Sequence, residues 1–203
     1  MRTNFLAPLF LTWKLLPLLK GNEAHGPARI INVSSRLEKN SKLTDNDLKS
    51  GPRGNCTSEG YNMMSAYSDS KHAQLLGSLG LANSLKDQIT TSNVVVHAVT
   101  PGMVHTNLSR FLPKVVQWLA WPVQRIFLRT PEQGAQSVLY AATASAPALT
   151  SGKYYSSDGN NIITEVRAGG ASERSRNSDL ANQMLSASMS LVRAAAEKES
   201  HEE

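Results

Sequence analysis

The sequence has a single cysteine, Cys56, among its 203 residues. One thiol cannot form a disulfide within the chain, and a cysteine without other ligands nearby does not make a metal site. This shortage excludes a disulfide-stabilised secreted scaffold and favours a reducing compartment. We therefore expect an intracellular protein, either cytoplasmic or peripherally associated with a membrane.

Long apolar runs are also missing. The first 19 residues are rich in leucine, but Pro8, Lys14 and Pro17 interrupt them. The stretch is too short and too broken to cross a bilayer, which takes about 20 apolar residues, and it shows no small-residue cleavage site of a secretory signal. We expect a helix here and neither a membrane span nor an export signal.

Charge of one sign is not concentrated anywhere. The 21 lysines and arginines outnumber the 16 aspartates and glutamates for a net charge of +5, but they form no basic run. Aromatic residues make up only 6% of the chain and are not interleaved with basic ones. This pattern argues against a nucleic-acid partner and favours one ordinary globular domain.

Two short runs rich in isoleucine and valine, 28–35 and 93–99, predict buried parallel strands, and 152–155 predicts a short final strand. The first run closes on two serines and the second is followed by Thr100-Pro101-Gly102. In open α/β sheets ligands bind at this carboxyl end of the strands. His97 lies inside the second run, where a core histidine is the favoured interpretation.

Apolar residues at helical spacing predict four helices. The third has a capping residue, Thr130, and a proline at its first position, and the last carries a Met/Leu stripe typical of a docking face. Helices that alternate with buried strands predict an α/β fold with a parallel sheet. The predicted helices cover residues 2–20, about 65–86, 131–144 and 176–197.

Two further segments stand apart from this pattern. Residues 36–60 are polar and contain the breaker cluster 51–54, which predicts an insertion rather than a domain. Residues 107–130 are apolar and aromatic and contain two prolines. That composition suits a lid over an apolar ligand or an interfacial helix, and helices that simply pack on the core are the alternative.

The candidate chemistry lies at the start of the second helix, where Tyr67 and Lys71 are four residues apart. At 3.6 residues per turn, positions i and i+4 share one face. A phenol is a poor proton donor near neutrality unless a neighbouring cation stabilises its phenolate. Such a pair also occurs often by chance on helix surfaces, so its meaning depends on the residues that accompany it.

Four ordered motifs accompany it, and together they resemble the short-chain dehydrogenase/reductase family. The resemblance covers essentially the whole chain, and the segment 43–48 and the residues Thr130-Pro131-Glu132-Gln133-Gly134-Ala135 resemble its retinol-dehydrogenase-like branch. It implies the C-terminal half of a Rossmann-like, doubly wound parallel sheet, with about three strands and flanking helices. The motifs are Asn4 to Thr12, Ile31-Asn32-Val33-Ser34-Ser35, Tyr67-Ser68-Asp69-Ser70-Lys71 and Pro101-Gly102-Met103-Val104-His105-Thr106.

The resemblance also implies a role for each matching residue. Tyr67 corresponds to the catalytic acid/base and Lys71 to its partner, which also binds the nicotinamide ribose. Ser35 corresponds to the residue that hydrogen-bonds the substrate oxygen, and Ser34 has a supporting role. Asn4 corresponds to the asparagine that orders a water between the lysine and solvent. Tyr67 and Lys71 are also expected to contact the cofactor. The segment expected to hold the nicotinamide end comprises Pro101, Gly102, Val104 and Thr106.

The sequence departs from the family at its start. Family members begin with a strand, a glycine-rich turn and a helix that cradle the cofactor pyrophosphate. The clusters 51–54 and 77–80 have the wrong spacing and context for this turn. We therefore expect a catalytic and substrate-facing half, with NADP slightly favoured over NAD by the resemblance. The strand that ends at Ser35 would have an unpaired edge.

Two functions of different class follow. In the first, the chain is an NAD(P)-dependent oxidoreductase for a small apolar alcohol or carbonyl compound. In the second, it is a catalytically silent, N-terminally truncated fragment that acts as an interaction module or is a partial gene product. Self-association is expected through helices 2–20 and 65–86. Either form could contact a membrane surface through 107–130.

Overall fold

The computed structural model describes residues 1–20, 26–49, 61–86, 93–102, 104, 129–145, 148–157, 163–166 and 171–202. Every structural statement below refers to these residues. The predicted insertion is described as far as residue 49, and the predicted lid only at residues 129 and 130. Within the described residues, no helix is long and apolar enough to cross a membrane.

The sheet has four strands in the order β1-β2-β3-β4. The first two pairs of neighbours are parallel, and β4 runs antiparallel to β3. The three predicted parallel strands are confirmed, and β4 is an addition that the sequence pattern did not predict. The strands are β1 Ala28–Val33, β2 Val94–Thr100, β3 Lys153–Ser157 and β4 Ile163–Glu165.

The four predicted helices flank this sheet with small differences at their ends, and the short helix Asp45–Lys49 within the insertion was not predicted. The first begins with a π-helical turn over Arg2–Leu6. The helix that starts at Pro131 begins with the predicted cap: the Thr130 hydroxyl accepts from the Gln133 N–H, and the Gln133 side chain accepts in return from the Thr130 N–H. The helices are α1 Ala7–Lys20, α2 Asp45–Lys49, α3 Met63–Lys86, α4 Pro131–Thr143 and α5 Ser178–Glu202.

The central helix α3 is covered on both sides, because α5 packs along the face that the sheet leaves open. Gly80 permits this approach: a Cβ atom built there would lie 2.5 Å from the carbonyl oxygen of Ala181. Helix α5 thus covers the face of α3 that points away from the sheet, and self-association through 65–86 stays a prediction. In contrast, α1 keeps Leu11, Leu15 and Leu18 exposed.

The predicted insertion is tied to the core. It begins with a 3-10 turn, Arg36–Asn40, and continues through α2. Leu43 and Leu48 from this polar stretch are buried in the same apolar cluster as Leu76 of α3. Burying a leucine side chain stabilises a fold by roughly 1.5–3 kcal/mol, so these two anchor the segment next to the strand ends.

Candidate active site at the carboxyl edge of the sheet

The ends of β1 and β2 lie side by side. Val33 pairs with Val99 in the parallel register, and the backbone N–H of Ser34 donates to the Val99 carbonyl at 2.8 Å. Ser35 and Pro101 each follow two residues after that register pair. The structure therefore brings the two predicted strand-end motifs to one edge of the sheet.

Helix α3 brings Tyr67 and Lys71 to the same edge. The Lys71 ammonium lies 5.8 Å from the centroid of the Tyr67 ring, so the two side chains share one face of the helix. Two hydrogen bonds dock the helix on β1: Lys71 Nζ donates to the Val33 carbonyl at 2.7 Å, and Ser34 Oγ donates to the Lys71 carbonyl at 3.0 Å. Ser34 thus supports the position of Lys71.

Burial lowers the pKa of Lys71 below its ordinary value. Its ammonium also donates to Gln74 Oε1 at 3.1 Å, so it is held in place although partly removed from water. A partly desolvated cation interacts with a neighbouring phenolate more strongly than a fully solvated one would. The site therefore has the kind of lysine that acid/base chemistry by a tyrosine requires.

Asn4 lies in the π-helical turn before α1 and reaches α3. Its Nδ2 donates to Ser70 Oγ at 3.0 Å, and Ser70 Oγ donates to the Tyr67 carbonyl at 2.7 Å. Asn4 therefore contacts the residue that precedes Lys71. This contact joins the first helix to the turn of α3 that carries both candidate residues.

Ser35 is half-buried and caps the 3-10 turn that follows β1. Its Oγ accepts from the backbone N–H of Leu37 at 3.3 Å, which leaves the hydroxyl hydrogen free to donate elsewhere. Its position thus depends on the turn that it caps.

The predicted cofactor segment begins at Pro101 and Gly102. Gly102 has a φ of 78°, which only glycine adopts readily, and a Cβ there would lie 2.8 Å from Arg129 Nη1. Arg129 holds this turn, because its guanidinium donates to the carbonyls of Pro101 at 3.1 Å and Ser157 at 2.7 Å. Val104 pairs with Arg129 in an isolated bridge, and Thr106 lies outside the described residues.

Sequence reasoning did not single out Arg129 or the second tyrosine near the site, Tyr154 of β3. Burial raises the pKa of Tyr154 to about 12, although Thr100 and Ser34 lie close enough to oppose this shift. Tyr154 therefore stays protonated at neutral pH. His97 is buried edge-on against Tyr155, as expected for a core residue, and burial lowers its pKa.

No family model matches the sequence. Individual relatives do match it. Human retinol dehydrogenase 14 is 36% identical over 154 residues, which are 75% of this chain and 42% of the relative. A short chain dehydrogenase of Arthrobotrys oligospora is 32% identical over 77% of this chain and 48% of its own length. Human retinol dehydrogenase 12 is 32% identical over 93% of this chain and 52% of its own length.

The chain belongs to the short-chain dehydrogenase/reductase family. Its relatives place it in the retinol-dehydrogenase-like branch of that family. The crystal structure of an uncharacterized protein from Mycobacterium Paratuberculosis matches 94% of this chain and 57% of its own length, with a TM-score of 0.65 and 25% identity. The fold is thus a partial Rossmann fold, and the chain spans about half the length of the curated relatives that it matches.

The lowered pKa of Lys71 predicts how the stability difference between wild type and a Lys71→Met variant changes with pH. In this short-chain dehydrogenase/reductase the folded state disfavours the ammonium, so wild-type stability should rise as pH rises from the folded pKa toward 10.5, the ordinary value. The variant loses the hydrogen bonds to Val33 and Gln74 at every pH, so the titration shows in the trend alone: the Tm of wild type relative to that of the variant should be lowest near pH 7 and should rise toward pH 10.5. Thermal unfolding followed by circular dichroism measures both.

The matched control is Lys86→Met, which changes an exposed lysine at the other end of the same helix. Other groups that titrate at high pH are common to all three proteins and cancel in the comparison. An equal pH dependence in the two variants would contradict the assignment to Lys71.

Proposed function

We propose that this chain is an NAD(P)-dependent oxidoreductase that interconverts an apolar alcohol and its aldehyde or ketone by hydride transfer. The observation that carries the proposal is the Lys71 ammonium 5.8 Å from the Tyr67 ring, at the carboxyl edge of a parallel sheet. Two relatives are named as retinol dehydrogenases, and retinol is an apolar alcohol. The activity of the whole protein is proposed on both grounds.

Tyr67 is the proposed general acid in the direction of reduction. The carbonyl oxygen gains negative charge as the carbonyl carbon is reduced, and the phenol donates its proton to that oxygen. The phenolate that remains is stabilised by the partly desolvated ammonium of Lys71. In the direction of oxidation the same phenolate accepts the proton of the alcohol.

Ser35 is the proposed second donor to the same oxygen. Its Oγ already accepts from the Leu37 N–H, so its hydrogen is available to the substrate. A preorganised donor at the developing oxyanion stabilises the transition state more than the ground state. Asn4 supports the arrangement through its hydrogen bond to Ser70, next to Lys71.

A bound nicotinamide cofactor would supply or accept the hydride. The residues proposed to hold its nicotinamide end are Lys71, Pro101, Gly102 and Val104, together with Thr106 from the sequence pattern. The positive φ of Gly102 fits this role, because it turns the chain tightly at the strand end without a side chain. The described residues include no glycine-rich turn for the pyrophosphate, so the fit extends to the nicotinamide end alone.

Fluorescence titration with NADPH and with NADH tests the proposal. We expect saturable binding at submillimolar concentration, and we expect Arg129→Ala to weaken that binding by about tenfold, because the Pro101 carbonyl loses its fixed donor. The matched control is Arg176→Ala, since Arg176 also donates to a carbonyl, that of Val166, at 2.7 Å. A wild-type chain that binds neither nucleotide at millimolar concentration is not an enzyme as it stands.

The apolar segment 107–130 is proposed to close over the substrate, and it is also the part proposed to touch a membrane surface. The tryptophans and phenylalanines in its sequence would provide the contact that an apolar alcohol needs. The composition of this segment therefore indicates an apolar substrate and does not identify it further.

A catalytically silent interaction module is the second candidate. The observation that favours it is the row of exposed leucines on α1, where Leu11 is 59%, Leu15 42% and Leu18 73% exposed. Apolar side chains in such a row on one helix can be covered by a second chain. Sedimentation equilibrium together with the nucleotide titration separates the two functions: an associating chain that binds no nucleotide supports the module.

A further inference from the structure

Glu38 is a carboxylate with no exposed surface, and it sits three residues after Ser35. It belongs to the 3-10 turn Arg36–Asn40, which Ser35 caps, and its backbone N–H donates to the Ser35 carbonyl at 3.1 Å. A buried carboxylate is costly unless hydrogen bonds and charge compensate it. The groups that compensate the charge of Glu38 therefore also help to fix the turn at Ser35.

Those partners come from two distant parts of the chain. Glu38 Oε2 lies 3.1 Å from Nδ1 of His72, which follows Lys71 on α3. The same oxygen accepts from Ser175 Oγ at 2.7 Å, and Oε1 accepts from the backbone N–H of Ser172 at 2.8 Å. One carboxylate thus joins the turn after β1, the helix with the candidate catalytic pair, and the segment that leads into α5.

The three side chains form a closed, water-excluded group. His72 and Ser175 are also buried, and Ser175 Oγ lies 3.1 Å from His72 Nδ1. The Nδ1–H tautomer of His72 fits this arrangement, because Nδ1 faces two acceptors. Burial by itself raises the pKa of Glu38, but the hydrogen bonds from His72, Ser175 and Ser172 outweigh burial and bring that pKa below its ordinary value. Glu38 is therefore an ionised acceptor.

We propose that Glu38, held by His72 and Ser175, is a positioning residue that fixes Ser35 relative to Tyr67 and Lys71. None of the three is assigned to touch the substrate. Their role is to hold the turn that carries Ser35 against helix α3, which carries Tyr67. The effect of Glu38 on turnover rests on the proposed oxidoreductase function, whereas its effect on the position of the Ser35 turn does not.

The decisive variant is Glu38→Gln, which keeps the size of the side chain but places an amide NH₂ against donors that need an acceptor. Hydrogen exchange should accelerate by about tenfold at the amides of Leu37 and Glu38, which donate to Ser35, and stay unchanged in β2. The kcat for carbonyl reduction should fall by about tenfold to a hundredfold, because small misplacements of donors are costly. The KM for the nicotinamide cofactor should change less than about twofold if Glu38 affects the transition state alone.

Two milder variants test the same role if Glu38→Gln does not fold. Ser175→Ala should shift exchange and kcat in the same direction by a smaller factor, and Ser175→Thr, which retains the hydroxyl, should restore both. The matched control is Asp45→Asn, because Asp45 pairs with Arg174 across the same two segments at 2.7 Å but is exposed and does not touch the Ser35 turn. It should leave both measurements unchanged.

Three results would overturn the positioning role. In the first, amide exchange at positions 37 and 38 does not change in Glu38→Gln. In the second, exchange is faster but kcat is unchanged. In the third, Asp45→Asn changes exchange and kcat as much as Glu38→Gln does. If wild type turns over no carbonyl substrate, the proposed function fails. The exchange measurement then decides by itself whether Glu38 fixes the turn.

Discussion

Replacing Tyr67 with phenylalanine is expected to lower kcat by a factor of about 10² to 10⁴, the usual contribution of a positioned general acid or base. The substitution removes the hydroxyl that donates the proton but keeps the aromatic ring beside the Lys71 ammonium. Affinity for the nicotinamide cofactor should change little, because Lys71 keeps its hydrogen bonds to Val33 and Gln74. Steady-state reduction of an apolar aldehyde, together with nucleotide titration, measures both quantities.

The matched control is Tyr61→Phe, which removes the hydroxyl of an exposed tyrosine just before the same helix. Its kcat should equal that of wild type. A Tyr67→Phe protein that keeps more than about a tenth of wild-type kcat would contradict the acid/base assignment, since that loss is far below the usual contribution.

Replacing Gly80 with leucine is expected to separate α5 from α3 and to cause a large loss of stability. Even a single Cβ at Gly80 would lie 2.5 Å from the Ala181 carbonyl oxygen and 3.0 Å from the Leu185 Cβ. Overpacking of this kind costs about 1–3 kcal/mol and occasionally more, and backbone cannot yield as a flexible side chain does. Leucine adds far more than one Cβ, so the upper end of this range, about 3 kcal/mol, applies. At 2–4 °C per kcal/mol for a chain of this size, Tm should fall by roughly 6–12 °C.

A pair of alanine variants on α3 provides the control. In Gly77→Ala the new Cβ meets the ring of Phe5, which is a side chain and can move, whereas in Gly80→Ala it meets backbone. Alanine favours a helix over glycine by about 1 kcal/mol at both positions, so that gain cancels in the comparison. Gly80→Ala should therefore be the less stable of the two by differential scanning calorimetry, and the opposite order would refute the packing explanation.

The position of α5 also determines which helix faces are left exposed for a partner. In the sequence, 65–86 and 2–20 are equally good candidates for an association surface. In the structure α3 is an internal helix, packed between the sheet and α5, and α1 retains the exposed leucines. Among the described residues, α1 therefore exposes the larger row of leucines, and association through 2–20 and 65–86 stays a prediction.

Sequence reasoning missed both β4 and Arg129, but only β4 had a signal in the sequence. The pair Asp158-Gly159 stands between the β3 residues and the apolar Ile162-Ile163, and an Asp-Gly pair between apolar runs is a common hairpin signal. That signal could have predicted the antiparallel β4. Arg129 had no comparable signal, because an arginine just before a helix cap is ordinary in a sequence.

The sequence by itself determined the parts of the protein that short-range periodicity encodes. The spacing of Tyr67 and Lys71 places both on one helix face in any α-helix, and apolar runs that end in Ser35 and Pro101 place both at one sheet edge in any parallel pair. The Thr130 cap was predicted for the same reason. The helix face and the cap each depend on residues only a few positions apart, and the two strand ends depend on two local apolar runs that the fold then pairs.

Only the tertiary structure decided which distant residues support that site. Glu38, His72 and Ser175 are separated by 34 to 137 positions, and Arg129 meets the Pro101 carbonyl 28 positions away. A polar residue in a polar segment gives no sign that it will be buried, because its burial depends on how the sheet, α3 and the C-terminal segment pack together. The local sequence pattern determines which side chains share a face of each helix or strand, and long-range packing determines which of these faces contact each other.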